Sequence, residues 1–249
     1  MKIQIIISIL VILFTSNVNS QIDTILNFEL KTPSEDEIHS KLNVWGTYYY
    51  IHTFESSGTI PLLLKDGVES GLFADTCDFC IASLEGTAMI KDKKGKVLLL
   101  NYSSTSTKNQ IDCKNCNKLK KSTLDTKRLG SVIWEYTDGY GKGINNFKLI
   151  PFRTIAVDNQ YIPYGSVVFI PKIKGLIFTD DSNQQHTHDG YFFAGDTGSA
   201  IKDNHIDFFI GIKKENPFLC VVNSNKNELL EIYVIKNENL NYDFINVVK

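Results

Sequence analysis

The stretch FAGDTGSAIKDNHIDFFIG, residues 193–211, contains two aspartates with very different surroundings. Asp196 precedes a Thr-Gly pair that is typical of a turn. Asp207 follows eleven residues later, between Ile206 and Phe208, inside an apolar run with the character of a strand. An unpaired charge in such a strand is costly. We therefore expect Asp207 to have a chemical role.

The rest of the chain is dominated by strand-like segments. From Val44 onward, short runs rich in β-branched and aromatic residues are separated by Gly, Asn, Asp or Pro. This composition is typical of strands joined by turns, and the piece KDKKGKVLLL predicts a hairpin near Gly95. Helical periodicity is weak in most of the sequence. The sequence therefore predicts an all-β protein, either a closed barrel or a sandwich.

A second block, IAVDNQYIPYGSVVFIP at residues 155–171, makes the interpretation more specific. It contains Asp158 and an Ile-Pro-Tyr-Gly-Ser run at 162–166. Together with Asp-Thr-Gly at 196–198, Ala-Ile-Lys at 200–202 and Ile-Asp at 206–207, it resembles the two sequence blocks of the three-aspartate (3D) domain. That module is shared with the membrane-bound lytic transglycosylase A family. The resemblance implies a six-stranded double-psi β-barrel with an inserted, cysteine-containing β excursion.

The resemblance also implies a reaction. Enzymes of that family cleave the β-1,4 bond between N-acetylmuramic acid and N-acetylglucosamine in peptidoglycan, and the muramyl 6-hydroxyl closes a 1,6-anhydro ring. By resemblance, Asp207 is the catalytic acid/base, and Asp196 and Asp158 orient it or stabilise positive charge on the sugar. One carboxyl group that acts first as acid and then as base needs a raised pKa. Apolar neighbours (Ile206, Phe208 and Phe209) and the charge of Asp196 are expected to raise it.

Four further residues are predicted to contact substrate. Thr197 and Lys202 belong to the second block, whereas Trp45 and Tyr48 belong to VWGTYYY at 44–50, which resembles the family's first barrel strand. An aromatic ring in that strand is a candidate to stack on a sugar. No cofactor is expected for catalysis, and the expected partner is the glycan strand of peptidoglycan.

Two positions depart from the family pattern, because Ser199 and Asp203 replace glycines. A positive φ at either position carries a backbone cost for a residue other than glycine. Altered turns favour an alternative function, a cell-wall glycan-binding module without turnover. A hydrolase of another β-glycan is a further alternative. For Asp207 alone, the competing interpretation is a buried carboxylate satisfied by backbone amides.

Four of the five cysteines form two C-x-x-C steps, CDFC at 77–80 and CKNC at 113–116. One interpretation is a structural zinc site made by Cys77, Cys80, Cys113 and Cys116. The other is a pair of structural disulfides in an oxidising compartment. The sequence does not separate these two interpretations, and either of them tethers a surface excursion.

The first twenty residues carry one Lys and an apolar run from Ile5 to Phe14, which resembles a cleaved export signal and is too short for a spanning helix. The expected location is the periplasm or the outside of the cell, in association with the cell wall and without a stable membrane span. The predicted organisation is a signal at 1–20, a linker or short helix at 21–43, a barrel domain at 44–236 with an insertion at 60–129, and a C-terminal tail at 237–249.

Charge argues against a nucleic-acid partner, because the formal net charge is -2 and the Lys and Arg residues are scattered. His186 and His188 resemble a metal pair but lie in a polar insertion, so we expect solvated loop residues there, and the same holds for Asp180 and Asp181.

Overall fold

The computed structural model of the chain describes residues 22–120, 124–212, 215–219 and 221–249. The predicted export signal lies outside these residues. Residues 22–26 are helical. The other helices are α1 (Thr76–Glu85), α2 (Thr126–Leu129) and α3 (Glu238–Val248), with 3-10 turns at Glu35–Glu37, Lys65–Gly67, Cys113–Asn115 and Ile144–Asn146. None of the helices in the described ranges has the length and apolar character needed to span a bilayer.

The strands are short, as their composition predicts. They are β1 (Ile38–Tyr49), β2 (His52–Glu55), β3 (Ile60–Leu63), β4 (Glu69–Ala74), β5 (Thr87–Lys91), β6 (Val97–Thr105), β7 (Val132–Thr137), β8 (Thr154–Ala156), β9 (Val167–Phe169), β10 (Ile177–Thr179), β11 (Gln185–Thr187), β12 (Tyr191–Asp196), β13 (His205–Phe209) and β14 (Leu230–Ile235). The hairpin predicted near Gly95 is confirmed as the antiparallel pair β5–β6.

Six of these strands close into a barrel in the order β1-β13-β8-β12-β9-β14. Two of the pairings are parallel, β1 with β13 and β8 with β12, and the remaining neighbours are antiparallel. The predicted all-β class and the six-stranded double-psi barrel are therefore confirmed.

Side chains alternate between the two faces of the barrel wall, as the period of a strand requires. On β13, Ile206 and Phe208 point into the barrel and join a core that includes Val168, Phe192 and Ile232 from three other strands. The outward-pointing His205 and Phe209 of β13 are also buried. Both faces of β13 are therefore buried, and this explains its apolar sequence.

Residues 52–137 form a second unit beside the barrel. It contains a four-stranded sheet in the order β2-β5-β6-β7, the β3–β4 hairpin and α1. Its own apolar core includes Phe79 and Trp134. The Asp75 side chain accepts a hydrogen bond from the backbone N–H of Asp78 at the start of α1, and Gly86 ends the helix in the left-handed conformation. The unit is longer than the insertion expected at 60–129, because β2 and β7 pair within its sheet.

The two C-x-x-C steps are joined as disulfides. Cys77 pairs with Cys116 and Cys80 pairs with Cys113, which links α1 to the turn at Cys113–Asn115. The four sulfur atoms are therefore not free thiolates for zinc in this form of the protein. The structure therefore agrees with the interpretation of these cysteines as two disulfides.

The segments at both ends of the described chain pack on the barrel. The capping box of Ser34 and Glu37 closes the turn before β1, and β1 begins at Ile38, inside the expected linker. The residues expected to be a C-terminal tail form α3, whose Leu240, Phe244 and Val248 are buried. Their spacing of four residues places them on one face of a helix. This periodicity was not recognised in a sequence that is otherwise rich in strands.

A buried ion pair ties the N-terminal segment to the barrel. Arg153, only 1% exposed, donates to both carboxylate oxygens of Asp189 and also to the backbone carbonyl of Ile25. His188, next to Asp189, was expected to be a solvated loop residue, and that expectation was wrong. Its ring is buried against Phe192, and desolvation lowers its pKa to about 3.

Candidate active site

The barrel brings Asp196 and Asp207 to the two sides of one strand. Asp196 on β12 and Asp207 on β13 are both Cα partners of Ala156, on the central strand β8. The small Ala156 side chain leaves space between the two carboxylates. On its other side β13 pairs with β1, where Thr47 is the Cα partner of Asp207. The double-psi topology therefore joins three distant segments at one point of the barrel wall.

The Asp207 side chain points out of the barrel. Its apolar neighbours are therefore not all the ones expected from the sequence. Ile206 and Phe208 were expected to surround the carboxyl group, but they point to the opposite face of the strand, into the core. Phe209 does share its face, in a cluster with Tyr49 and Leu149 that lies between the barrel and the second unit.

The pKa values of both carboxyl groups are raised. Burial raises the pKa of Asp207 to about 7, and the charge of Asp196 adds to this rise, while a 2.7 Å hydrogen bond from the Thr47 hydroxyl opposes it. Burial raises the pKa of Asp196 to about 6, against hydrogen bonds from the Tyr49 hydroxyl (2.7 Å) and the Thr197 backbone N–H (2.8 Å). Asp207 is therefore about half protonated near pH 7, so the acid form that a general acid requires is well populated.

Both carboxylates line a cleft of about 670 Å³ between the barrel and the second unit. This volume is within the range of small-molecule sites. The barrel wall carries Thr197, Ser199 and Lys202, and the opposite wall carries Glu85 at the end of α1 and Arg128 on α2. The two carboxylates are half-buried and remain open to the cleft.

The third aspartate is not part of the cleft lining. Asp158 lies in the loop after β8, where its carboxylate accepts hydrogen bonds from the backbone N–H groups of Gln160 and Asp203. These bonds lower its pKa. Asp203 has a φ of 53°, so this departure from glycine does occupy the left-handed region, which aspartate tolerates better than most residues. Ser199 is not among the residues with positive φ. Asp158 thus fixes the loop between Asp196 and Asp207.

Of the four residues predicted to contact substrate, two line the cleft and two do not. Thr197 and Lys202 line the cleft, whereas Trp45 and Tyr48 do not. The Trp45 ring stacks on His205 at a centroid distance of 3.6 Å, and Lys226 Nζ lies 5.1 Å from its centroid. Tyr48 packs against the barrel core.

Three residues of the site were missed by the sequence analysis. Thr47 and Tyr49 on β1 donate hydrogen bonds to Asp207 and Asp196, respectively. Gly143 passes close to β12. A Cβ atom at this position would overlap the Gly195 carbonyl oxygen and would lie 2.9 Å from Asp196 Oδ1. The alternation of VWGTYYY does place residues 45, 47 and 49 on one face, which is a usable signal.

No group of three or more His, Cys, Asp or Glu residues suited to a metal ion occurs in the described part of the chain. His186 Nε2 lies 2.9 Å from Asp180 Oδ2 and its ring stacks on Phe178; neither His186 nor Asp180 lines the cleft. Asp181 accepts a hydrogen bond from the Ile212 backbone N–H, so it has a structural role rather than a solvated one.

The geometry is matched by a known domain family. Residues 153–218 match the 3D domain. The match begins at the buried Arg153 and contains all three aspartates of the predicted blocks, whereas the second unit lies outside it. The expected family resemblance is thereby confirmed for this part of the chain.

Solved structures share the fold over a larger part of the chain. The membrane-bound lytic murein transglycosylase from Agrobacterium tumefaciens is 13% identical, with a TM-score of 0.53 over 80% of this chain and 76% of that one. The E. coli MltA structure with bound chitohexaose is 15% identical, with a TM-score of 0.51 over 78% of this chain and 72% of that one. No curated protein matches the sequence. At these identities the likeness concerns the fold.

Proposed function

We propose that this protein is a lytic transglycosylase that cleaves the β-1,4 bond between N-acetylmuramic acid and N-acetylglucosamine in peptidoglycan. The observation that carries the proposal is Asp207, a half-buried carboxyl group with a pKa raised to about 7 that faces a cleft. The 3D domain match and the fold shared with two lytic transglycosylases support the same reaction class.

In the proposed reaction, Asp207 begins as the neutral acid and gives its proton to the glycosidic oxygen as the bond to the muramyl anomeric carbon breaks. The muramyl 6-hydroxyl oxygen then forms a bond to that carbon, and its proton returns to Asp207. The products are a 1,6-anhydromuramyl end and a free 4-hydroxyl group. Atoms and protons balance without water, and the acid is regenerated in each cycle.

Asp196 has two proposed roles in this scheme. Its pKa of about 6 leaves it mostly ionised near neutral pH, so its negative charge stabilises the oxocarbenium-like sugar. The same charge raises the pKa of Asp207. Lys202 and Thr197 are proposed to contact substrate from the barrel wall of the cleft. Asp158 is proposed to act indirectly, through the loop whose Asp203 N–H it binds.

The structure bears on the alternative of a binding module without turnover. That alternative rests on Ser199 and Asp203, which replace glycines. The left-handed Asp203 is held by Asp158, and Ser199 needs no left-handed conformation, so neither substitution displaces the carboxylates. This observation favours catalysis over binding alone.

The test is to incubate the purified protein with peptidoglycan and to analyse the released fragments by mass spectrometry. We expect 1,6-anhydromuropeptides from the wild type and their loss in Asp207→Asn. Asp23→Asn, which changes an exposed aspartate outside the cleft, is the matched control and should keep full activity. Products with reducing ends would indicate a hydrolase. Chitohexaose binding without any fragment release would indicate a binding module.

We further propose that the protein works outside the cytoplasm and needs no cofactor. The export-signal pattern at 1–20 and two disulfides are consistent with an oxidising compartment. The proposed chemistry uses a carboxylic acid as its only proton donor. Fragment release should therefore continue in EDTA, and the protein should be recovered from the cell envelope or the medium.

A further inference from the structure

A chain of hydrogen bonds leads away from Asp207 to a histidine behind it. Thr47 Oγ1 lies 2.7 Å from Asp207 Oδ1 and 2.8 Å from His205 Nε2. The other ring nitrogen of His205, Nδ1, lies 3.3 Å from the backbone carbonyl oxygen of Ala200. Thr47 is the Cα partner of Asp207, and Trp45 is the Cα partner of His205. Two adjacent strands therefore fix the three side chains of this hydrogen-bond network, Asp207, Thr47 and His205.

The His205 ring has little freedom to leave this position. It stacks on Trp45 with an angle of 8° between the ring planes and is only 8% exposed. Its two nitrogens thus face Thr47 and Ala200, and either nitrogen can carry the proton of the neutral ring. The Ala200 carbonyl belongs to the same cleft-lining loop as Ser199 and Lys202.

Counting hydrogen atoms gives one arrangement for an ionised Asp207 and the opposite arrangement for an Asp207 that carries its proton on Oδ1. An ionised Asp207 only accepts, so the single Thr47 hydroxyl hydrogen points to it, and His205 then donates to Thr47 from Nε2. When Asp207 carries its proton on Oδ1, the direction reverses. Asp207 donates to Thr47, Thr47 donates to Nε2, and the ring hydrogen moves to Nδ1, where the Ala200 carbonyl accepts it.

We propose that His205 is a positioning residue that changes tautomer with Asp207, so that Thr47 remains hydrogen-bonded to Asp207 in both the acid and the base form. This inference rests on the proposed function, in which a single carboxyl group must act in both forms within one catalytic cycle. A fixed donor at Thr47 would stabilise the carboxylate more than the neutral acid, because an ionised oxygen is the stronger acceptor. A reversible one supports both halves of the reaction, and it ties the Ala200 loop more firmly when the acid is loaded.

The surrounding charges are compatible with a neutral histidine. Desolvation lowers the pKa of His205 and Lys226, near Trp45, lowers it further, against the hydrogen bond to the Ala200 carbonyl, so the surroundings favour the neutral ring. The titratable groups around Asp207 itself are Tyr49 on β1 and Asp196 on β12. Tyr49 stays protonated, because burial and Asp196 raise its pKa well above the usual value. Lys202 and Glu85 face the same cleft from the loop and from α1.

The direct test reads the tautomer by NMR and requires no turnover. Protein labelled with 15N-histidine is titrated across the ionisation of Asp207, and His205→Phe assigns the signals among the five histidines. We expect the His205 proton to move from Nδ1 to Nε2 with the same midpoint as Asp207. The switch should disappear in Asp207→Asn and in Thr47→Val, and it should persist in Thr47→Ser. A single tautomer throughout, or a switch that survives Thr47→Val, overturns the proposal.

A second measurement follows the rate of fragment release. His205→Phe should lower kcat about tenfold with little change in KM, because the lost contact acts on the proton donor and not on the sugar. In the Thr47→Val background, His205→Phe should add almost nothing, whereas a purely structural role would give additive losses. His186→Phe is the matched control, because His186 also stacks on an aromatic ring but does not belong to the hydrogen-bond network of Asp207. If no fragments form at all, the proposed function fails, and the NMR result still decides the tautomer coupling.

Discussion

Asp196→Asn should shift the pH dependence of fragment release to lower pH without disturbing the local structure. The amide of an asparagine can still accept the hydrogen bond from the Thr197 backbone N–H through its oxygen. Its NH2 group can donate to the Tyr49 hydroxyl, which reverses the present bond. The change therefore removes the negative charge and little else.

The size of the shift follows from the strand arrangement. Asp196 and Asp207 lie on the two neighbours of β8 and share Ala156 as a partner, so their Cα atoms are separated by about two strand spacings, roughly 10 Å. With an effective dielectric constant of about 20, two unit charges at that distance interact by about 1.7 kcal/mol, or roughly one pKa unit. The pKa of Asp207 should thus fall from about 7 to about 6.

A general acid acts only in its protonated form, so the sign of the effect is fixed. Lowering the pKa of Asp207 by about one unit reduces the protonated fraction about fivefold near pH 7 and leaves it almost unchanged near pH 5. The alkaline limb of the rate profile should therefore move down by about one unit. The height of the acidic plateau is a separate quantity, because the charge of Asp196 is also proposed to stabilise the sugar cation.

The assay is fragment release measured across the pH range, with the carboxyl carbon of Asp207 titrated by NMR as an independent measure of its pKa. Asp23→Asn is the control for a lost surface charge. An alkaline limb that stays in place or moves to higher pH in Asp196→Asn would refute the reasoning that the two carboxylates are electrostatically coupled.

Three further predictions concern stability. The folded-state pKa of Asp207 is raised, so its burial destabilises the fold as pH rises from about 4 to about 7; Asp207→Asn should raise Tm at alkaline pH and have little effect near pH 4, as measured by thermal unfolding. Arg153→Met should cost about 3–5 kcal/mol in chemical denaturation because it leaves Asp189 buried without its partner, whereas an isolated surface pair would cost under about 1 kcal/mol. Replacing Cys80 and Cys113 together by Ser should lower stability by about 2–4 kcal/mol and make the remaining midpoint sensitive to reductant; unchanged denaturation curves would show that α1 does not depend on this crosslink.

The strand-rich composition predicted a barrel or a sandwich, and the resemblance of the two aspartate blocks to the 3D domain implied the six-stranded barrel; both signals are local in the sequence. Short β-branched runs, turn residues and the two aspartate blocks are each contained in fewer than twenty residues, so no knowledge of pairing is needed to recognise them. The second unit was only outlined, since the strands that flank it look like barrel strands until their partners are known. The helical spacing of Leu240, Phe244 and Val248 was readable and was overlooked in a chain otherwise rich in strands.

The supporting residues of the site could not be read from the sequence in the same way. Thr47 is 160 residues from Asp207, and Tyr49 is 147 residues from Asp196, and only the closure of β1 against β13 brings them together. The alternation of β13 shows that Asp207 and Phe208 face opposite sides, but not which side is the core. His188 illustrates the same problem, because its polar neighbours suggested solvent while the fold places it against Phe192.

The second unit is what makes the position of Asp207 chemically useful. A carboxyl group on the outer face of a bare barrel would be solvated, and its pKa would stay near 4. Here Met89 and Leu99 of the second unit pack on the cluster that contains Phe209, so the outer face of β13 is desolvated while Asp207 itself still opens onto the cleft. The same unit therefore raises the pKa of Asp207 and supplies the opposite wall of the cleft. Separation of the two units would expose the outer face of β13 to water and would lower the pKa of Asp207 toward its ordinary value.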